Sequence, residues 1–134
     1  MGLLLIADED VQNRDSMTQL FGNTDHEVVA ADSVDVVMRD VIKREAQVVL
    51  LGSTFDNIPA GELIPILKKC NQNLTIIFIS NEESLPLLRK LRREGIFYHA
   101  LKPSAAEDKE ELLQAVRCAF ENTSGQAPAS GTAS

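Results

Sequence analysis

No stretch of this 134-residue chain is apolar for long enough to cross a membrane, and the apolar opening at residues 3–7 lacks the basic start of a signal peptide. N-terminal myristoylation is not expected either. Met1-Gly2 begins a myristoylation motif, but Ile6 stands where that motif requires Ser or Thr. Basic charge is also scarce. The 13 Lys and Arg against 20 Asp and Glu leave a formal charge of −7, where a nucleic-acid surface would carry a basic stripe. The basic cluster Arg89-Lys90 with Arg92-Arg93 alternates with leucines at helical spacing and reads as a solvated helix face. Cysteine is limited to Cys70 and Cys118, far apart and without a CxxC partner, which leaves no metal knuckle and no disulfide framework. Both fall on apolar positions of expected helices, so they read as buried, reduced thiols and fit a cytoplasmic setting.

What the chain does have is alternation. Five short runs rich in Val, Ile and Leu, at about 3–7, 26–30, 47–51, 74–79 and 97–101, have the length and composition of buried parallel strands. Between and after them, 11–22, 33–44, 60–70, 82–94 and 107–121 place apolar residues three and four apart, as in Leu85, Leu88 and Leu91. Ser33 and Ser84 are natural entries to the second and fourth helices, and Gly95 is a natural stop for the fourth. Strict βα alternation implies an α/β fold with helices on both faces of a parallel sheet. Five strands suit the flavodoxin-like, doubly wound order 2-1-3-4-5, whose functional crevice lies beyond the carboxyl ends of the strands. Residues 1–121 thus form one domain. Residues 122–134, rich in Ser, Thr, Gly, Ala and Pro, read as a disordered tail.

The strand ends carry the chemistry. The first run closes on Asp8-Glu9-Asp10, the third on Gly52, the fourth on Ser80 and the fifth on Lys102-Pro103. Arg14 follows the acids and Gly95 precedes the lysine. An acidic pair, a hydroxyl and a lysine–proline, each closing a strand, resemble the site of the response-regulator receiver domains of bacterial two-component signalling, of the CheY-like type. The resemblance covers about residues 2–121 and departs from the family pattern most at the acceptor: Gly52 falls where the family carries its phosphoacceptor aspartate. With no side chain there, no acyl phosphate can form at that position.

The resemblance implies roles for the remaining residues. Asp8 and Glu9 correspond to the pair that holds Mg²⁺ with the acceptor, since a hard cation requires several oxygen ligands. Without the third carboxylate that site is weakened, and the same residues also suit the positive end of the first helix. Asp10 reads as a helix cap rather than a ligand. Ser80 corresponds to the hydroxyl that contacts a phosphoryl oxygen, Lys102 to the lysine that neutralises it, and Pro103 to the cis-proline that aims the lysine. With no phosphoryl group to meet, Lys102 is expected to pair with Asp8 or Glu9. His99 stands at the position of the family's switch aromatic and reads as a half-buried surface residue, with Tyr98 turned to the other face. His26 reads as ordinary surface.

The leading expectation is therefore a non-enzymatic pseudo-receiver, a signalling module that acts by phosphorylation-independent protein–protein interaction. The family uses the face built from the fourth helix, the fifth strand and the fifth helix for partners and for homodimers. Expected partners are signalling proteins, a histidine kinase or an output protein, with neither nucleic acid nor membrane. The competing expectation is an active phosphorelay receiver phosphorylated by a histidine kinase at an unusual acceptor, Asp56, in the longer loop 53–61. A flavin-binding protein of the same fold is disfavoured, because Asp8-Glu9-Asp10 would repel a phosphate where flavin binding needs a cradle.

Overall fold

Strands apolar on both faces need helices on both sides, and that requirement organises the molecule. The computed structural model describes residues 2–124. In chain order it contains β1 (Leu3–Ala7), α1 (Val11–Phe21), β2 (Glu27–Ala30), α2 (Val34–Ile42), β3 (Ala46–Leu51), β4 (Thr54–Phe55) and β5 (Ile58–Pro59). These are followed by α3 (Ala60–Cys70), β6 (Thr75–Ile79), α4 (Leu85–Glu94), β7 (Tyr98–Ala100) and α5 (Ala106–Ser124). The parallel sheet runs β2-β1-β3-β6-β7. Counting only the five strands of that sheet, this is the doubly wound order 2-1-3-4-5.

Period-two alternation divides the core in two. Leu4, Ile6, Val48, Leu50, Ile77 and Ile79 pack with Met17, Phe21, Leu112, Val116 and Ala119 on the α1–α5 side. Their strand neighbours Leu5, Ala7, Val49, Leu51, Ile76 and Phe78 pack with Val37, Val41, Leu63, Ile64, Leu67 and Leu91 on the α2–α3–α4 side. Full burial of each such side chain is worth roughly 1.5–3 kcal/mol, so the two layers together fix the sheet and with it the strand ends.

The helix signals are realised as hydrogen bonds. Ser33 Oγ accepts from Val36 N–H at the start of α2, and Ser84 Oγ from Leu87 N–H at the start of α4. Gly95 ends α4 at φ 120°, a conformation that disfavours any side chain. Some boundaries move. The fourth helix starts at Leu85 rather than 82, because Glu82 and Ser84 spend their groups on the turn: Glu82 N–H donates to Ser80 Oγ and Ser84 N–H to Glu82 Oε2. Leu85 itself is exposed. The fifth helix runs to Ser124, past the expected end at 121, and the rest of the expected tail, 125–134, lies outside the described residues.

Other expectations about single residues also shift. Cys118 is exposed and Cys70 half-buried, both free, so the thiols are less sheltered than helical periodicity implied. His26 is more than surface: its ring stacks on Phe120 with centroids 4.1 Å apart, and its buried Nδ1 has no hydrogen-bond partner among the described residues. Burial pushes the imidazole below its ordinary value. Among the described residues no helix is long and apolar enough to cross a membrane.

Candidate functional site

At the carboxyl ends of β1, β3, β6 and β7 the chain leaves the sheet, and the residues singled out there converge on one end of the molecule. Gly52 N–H donates to Ala7 O at 3.0 Å, which ties the end of β3 to the end of β1. Asp8, Glu9, Asp10, Ser53, Thr54 and Lys102 line a cleft of about 250 Å³.

Asp8 is the buried member, 3% exposed. Its Oδ1 accepts the Asp10 N–H at 3.0 Å, and its Oδ2 accepts a hydrogen bond from the Asn13 side-chain amide. Burial pushes the Asp8 carboxyl above the ordinary range, against the opposing pull of those two donors. Its carboxylate lies directly over Gly52. A Cβ built on that glycine would stand 2.4 Å from Asp8 Cγ and 2.6 Å from each carboxylate oxygen. Asp8 therefore occupies the space into which a side chain at position 52 would project.

Glu9 and Asp10 turn elsewhere. Glu9 Oε1 accepts from Asn57 N–H at 3.0 Å, which draws Glu9 away from Asp8. Asp10 caps α1, its Oδ1 accepting from Asn13 N–H at 3.2 Å, as the helix-cap reading expects. Lys102 does not pair with Asp8 or Glu9. Its Nζ lies 3.5 Å from Asp10 Oδ2, because Asp8 is enclosed and Glu9 is held by the hairpin, while the capping Asp10 keeps its second oxygen open at the cleft's rim. Both partners are about two-fifths exposed or more, so the pair contributes at most about 1 kcal/mol.

A divalent cation needs several carboxylate oxygens aimed at one point. Here both Asp8 oxygens accept protein donors, Glu9 faces the hairpin and Gly52 offers no side-chain oxygen. Among the described residues no group of three or more His, Cys, Asp or Glu is placed to share a metal. The residues at the strand ends, as arranged here, do not fit the Mg²⁺ that the resemblance implies.

Ser80 is buried, and its hydroxyl accepts from Glu82 N–H at 2.8 Å, a turn-forming role. His99 is half-buried on the same side as Phe78, with Nε2 2.9 Å from Ser80 O, while Tyr98 packs on the α5 side as strand alternation expects. Lys102 N–H donates to Asn81 Oδ1 at 3.2 Å. The Lys102–Pro103 peptide is trans, since no described peptide bond is cis, and the lysine reaches Asp10 from that geometry.

The segment after Gly52 is a hairpin rather than an open loop. Thr54 pairs with Pro59 and Phe55 with Ile58, around Asp56 and Asn57 at φ 53° and 64°. Two successive left-handed residues match the tight hairpin turn that Asp and Asn tolerate. Asp56 points away from the cleft: its Oδ2 accepts Val34 N–H at 2.9 Å, at the start of α2. The signal for this hairpin is Asp-Asn, a turn pair, between the β-prone Thr54-Phe55 and Ile58. Asn13 was likewise legible as a polar residue spaced four and eight from the buried Met17 and Phe21.

With this geometry in view, comparison with known proteins is decisive for the family. The model of the response regulator receiver domain matches residues 4–117. The chain belongs to the receiver-domain family. A DNA-binding transcriptional regulator NtrC of Azospirillum brasilense is 27% identical over 117 residues, 87% of this chain but 24% of that protein. The receiver thus spans about a quarter of this curated relative's length. A CheY-like receiver from Methanospirillum hungatei superposes with TM-score 0.82 at 17% identity, covering 95% of this chain and 99% of that one. The beryllofluoride-activated NtrC4 receiver dimer gives TM-score 0.79 at 17% identity, covering 92% and 99%. At these identities the structural likenesses speak to the fold.

Proposed function

We propose that this receiver is a pseudo-receiver, a signalling module whose state does not depend on an aspartyl phosphate. The observation that carries this reading is Asp8 lying over Gly52: the acceptor position has no side chain, and its space is taken by a neighbouring carboxylate. Lys102, with no phosphoryl group to neutralise, stays on Asp10. The hairpin further ties Glu9 and the start of α2 to one another through Asn57 and Asp56, so the end of the molecule is fixed by protein bonds.

Output then rests on protein contact, through the face formed by α4, β7 and α5. On α4, Arg89, Arg92 and Arg93 are exposed, while α5 opens with Glu107, Asp108, Glu110 and Glu111. Leu85 and Leu101 add exposed apolar area beside them. Tyr98 hydroxyl donates to the Glu111 carboxylate, which joins β7 to α5 and pushes the phenol up. Opposite charges on one polar face suit a transient interface with a kinase, an output protein or a second copy, a dimer being the form recorded for the NtrC4 receiver.

The reading is tested by amide NMR spectra with Mg²⁺ and beryllofluoride, a mimic of the acyl phosphate. The expected spectrum is unchanged. Saturable shifts clustered at Gly52, Ser80 and Lys102 would overturn the proposal.

A further inference from the structure

We propose that Asn13 is the positioning residue that holds Asp8 across the end of β3, so that an aspartate at position 52 cannot by itself rebuild a cation site. This rests on the pseudo-receiver reading and deepens it. Asn13, Met17 and Phe21 form the buried stripe of α1, spaced by four, and Asn13 is the polar member at 8% exposure. An amide in such a place is costly unless bonded. Asn13 meets that need through Asp8 Oδ2, while Asp10 N–H takes Oδ1. The two bonds fix the carboxylate over Gly52, with all three carboxylate atoms within 2.6 Å of the position a Cβ would take.

Any side chain at position 52 must therefore displace Asp8. Displacement breaks the bond to Asn13 and strands a buried amide, and the added carboxylate places like charge against like. A leucine at position 13 has nearly the shape of asparagine and would continue the apolar stripe, leaving Asp8 free to turn. Asp8 and a carboxylate at position 52 could then offer oxygens to the same cation. Asn13 in α1, not the missing acceptor alone, is what closes the site.

The test compares Mg²⁺ affinity, by calorimetry, in four forms of the full chain: wild type, Asn13→Leu, Gly52→Asp and the double variant. The double variant is expected to bind Mg²⁺ about tenfold or more tightly than Gly52→Asp, the factor expected when a stranded buried amide no longer opposes binding. A Gly52→Asp single variant that binds as well as the double would overturn the role of Asn13, as would a double variant with no gain. Wild type binding as tightly as the double would instead count against the pseudo-receiver reading. If Gly52→Asp fails to fold, the same coupling is read with Gly52→Ala. Its cost to the unfolding equilibrium is expected to shrink about tenfold in the Asn13→Leu background, and an unchanged cost would overturn the proposal.

Discussion

Phe55→Ala is expected to lower the stability of the fold by about 3–5 kcal/mol, the range for truncating a buried aromatic side chain. Phe55 is 2% exposed and belongs to the core on the α2–α3–α4 side, although it sits in a strand of only two residues. A two-stranded hairpin of this size has no stability of its own. The ring is what anchors β4 and β5, and through them the Asn57 contact to Glu9 and the Asp56 contact to α2. Urea denaturation should show the loss as a lower midpoint at an unchanged slope. Amide exchange at Val34 and Asn57 should rise with it. A midpoint within experimental error of wild type would mean the hairpin is ornamental and the cleft is held by something else.

The second large effect is expected from Asp8→Ala, a loss of about 2–4 kcal/mol. Two opposing terms decide it. Removing a buried carboxylate relieves desolvation, which alone would favour the variant. But alanine leaves the Asn13 amide and the Asp10 N–H without an acceptor, and each stranded buried donor costs about 1–3 kcal/mol. The donors win because Asn13 is itself buried and cannot recover the bond from water. Asp8→Asn, which keeps an acceptor oxygen, should lose about half as much by the same reasoning. Denaturant curves for the two variants check the order. An alanine variant as stable as wild type would show that Asp8 is a strained remnant rather than the hub of the β1–α1 junction.

Much of the fold was open to sequence reading because the strands are unambiguous. Runs such as Val48-Val49-Leu50-Leu51 are apolar at every position and bounded by polar or turn residues, the pattern of strands buried in a parallel sheet. The caps Ser33, Ser84 and Gly95 could be read because their local chemistry acts within a few residues. Strand order came from the fold class, since periodicity does not encode which strands adjoin. Within the site, residue identities were legible and their pairings were not. Lys102 was expected on Asp8 or Glu9 and meets Asp10, a choice set by which acid keeps an oxygen open once burial and the hairpin have claimed the others. Asp56 is near Gly52 in sequence, but two left-handed residues carry it to the start of α2, a bond that no local pattern encodes. Asn13 stood in the apolar stripe of α1, but its meaning depends on a contact with Asp8 that no helical period reveals.

The pseudo-receiver reading stands on the expectation that nothing at the end of β3 accepts phosphate. Its most direct test is the intact mass of the protein after incubation with acetyl phosphate and Mg²⁺, with an active receiver alongside to prove the reagent. The expected result is an unmodified mass while the control is labelled. A phosphoryl adduct that is lost in alkaline hydroxylamine, the behaviour of an acyl phosphate, would contradict the account, and its retention or loss in Asp56→Asn would show whether the hairpin carries it.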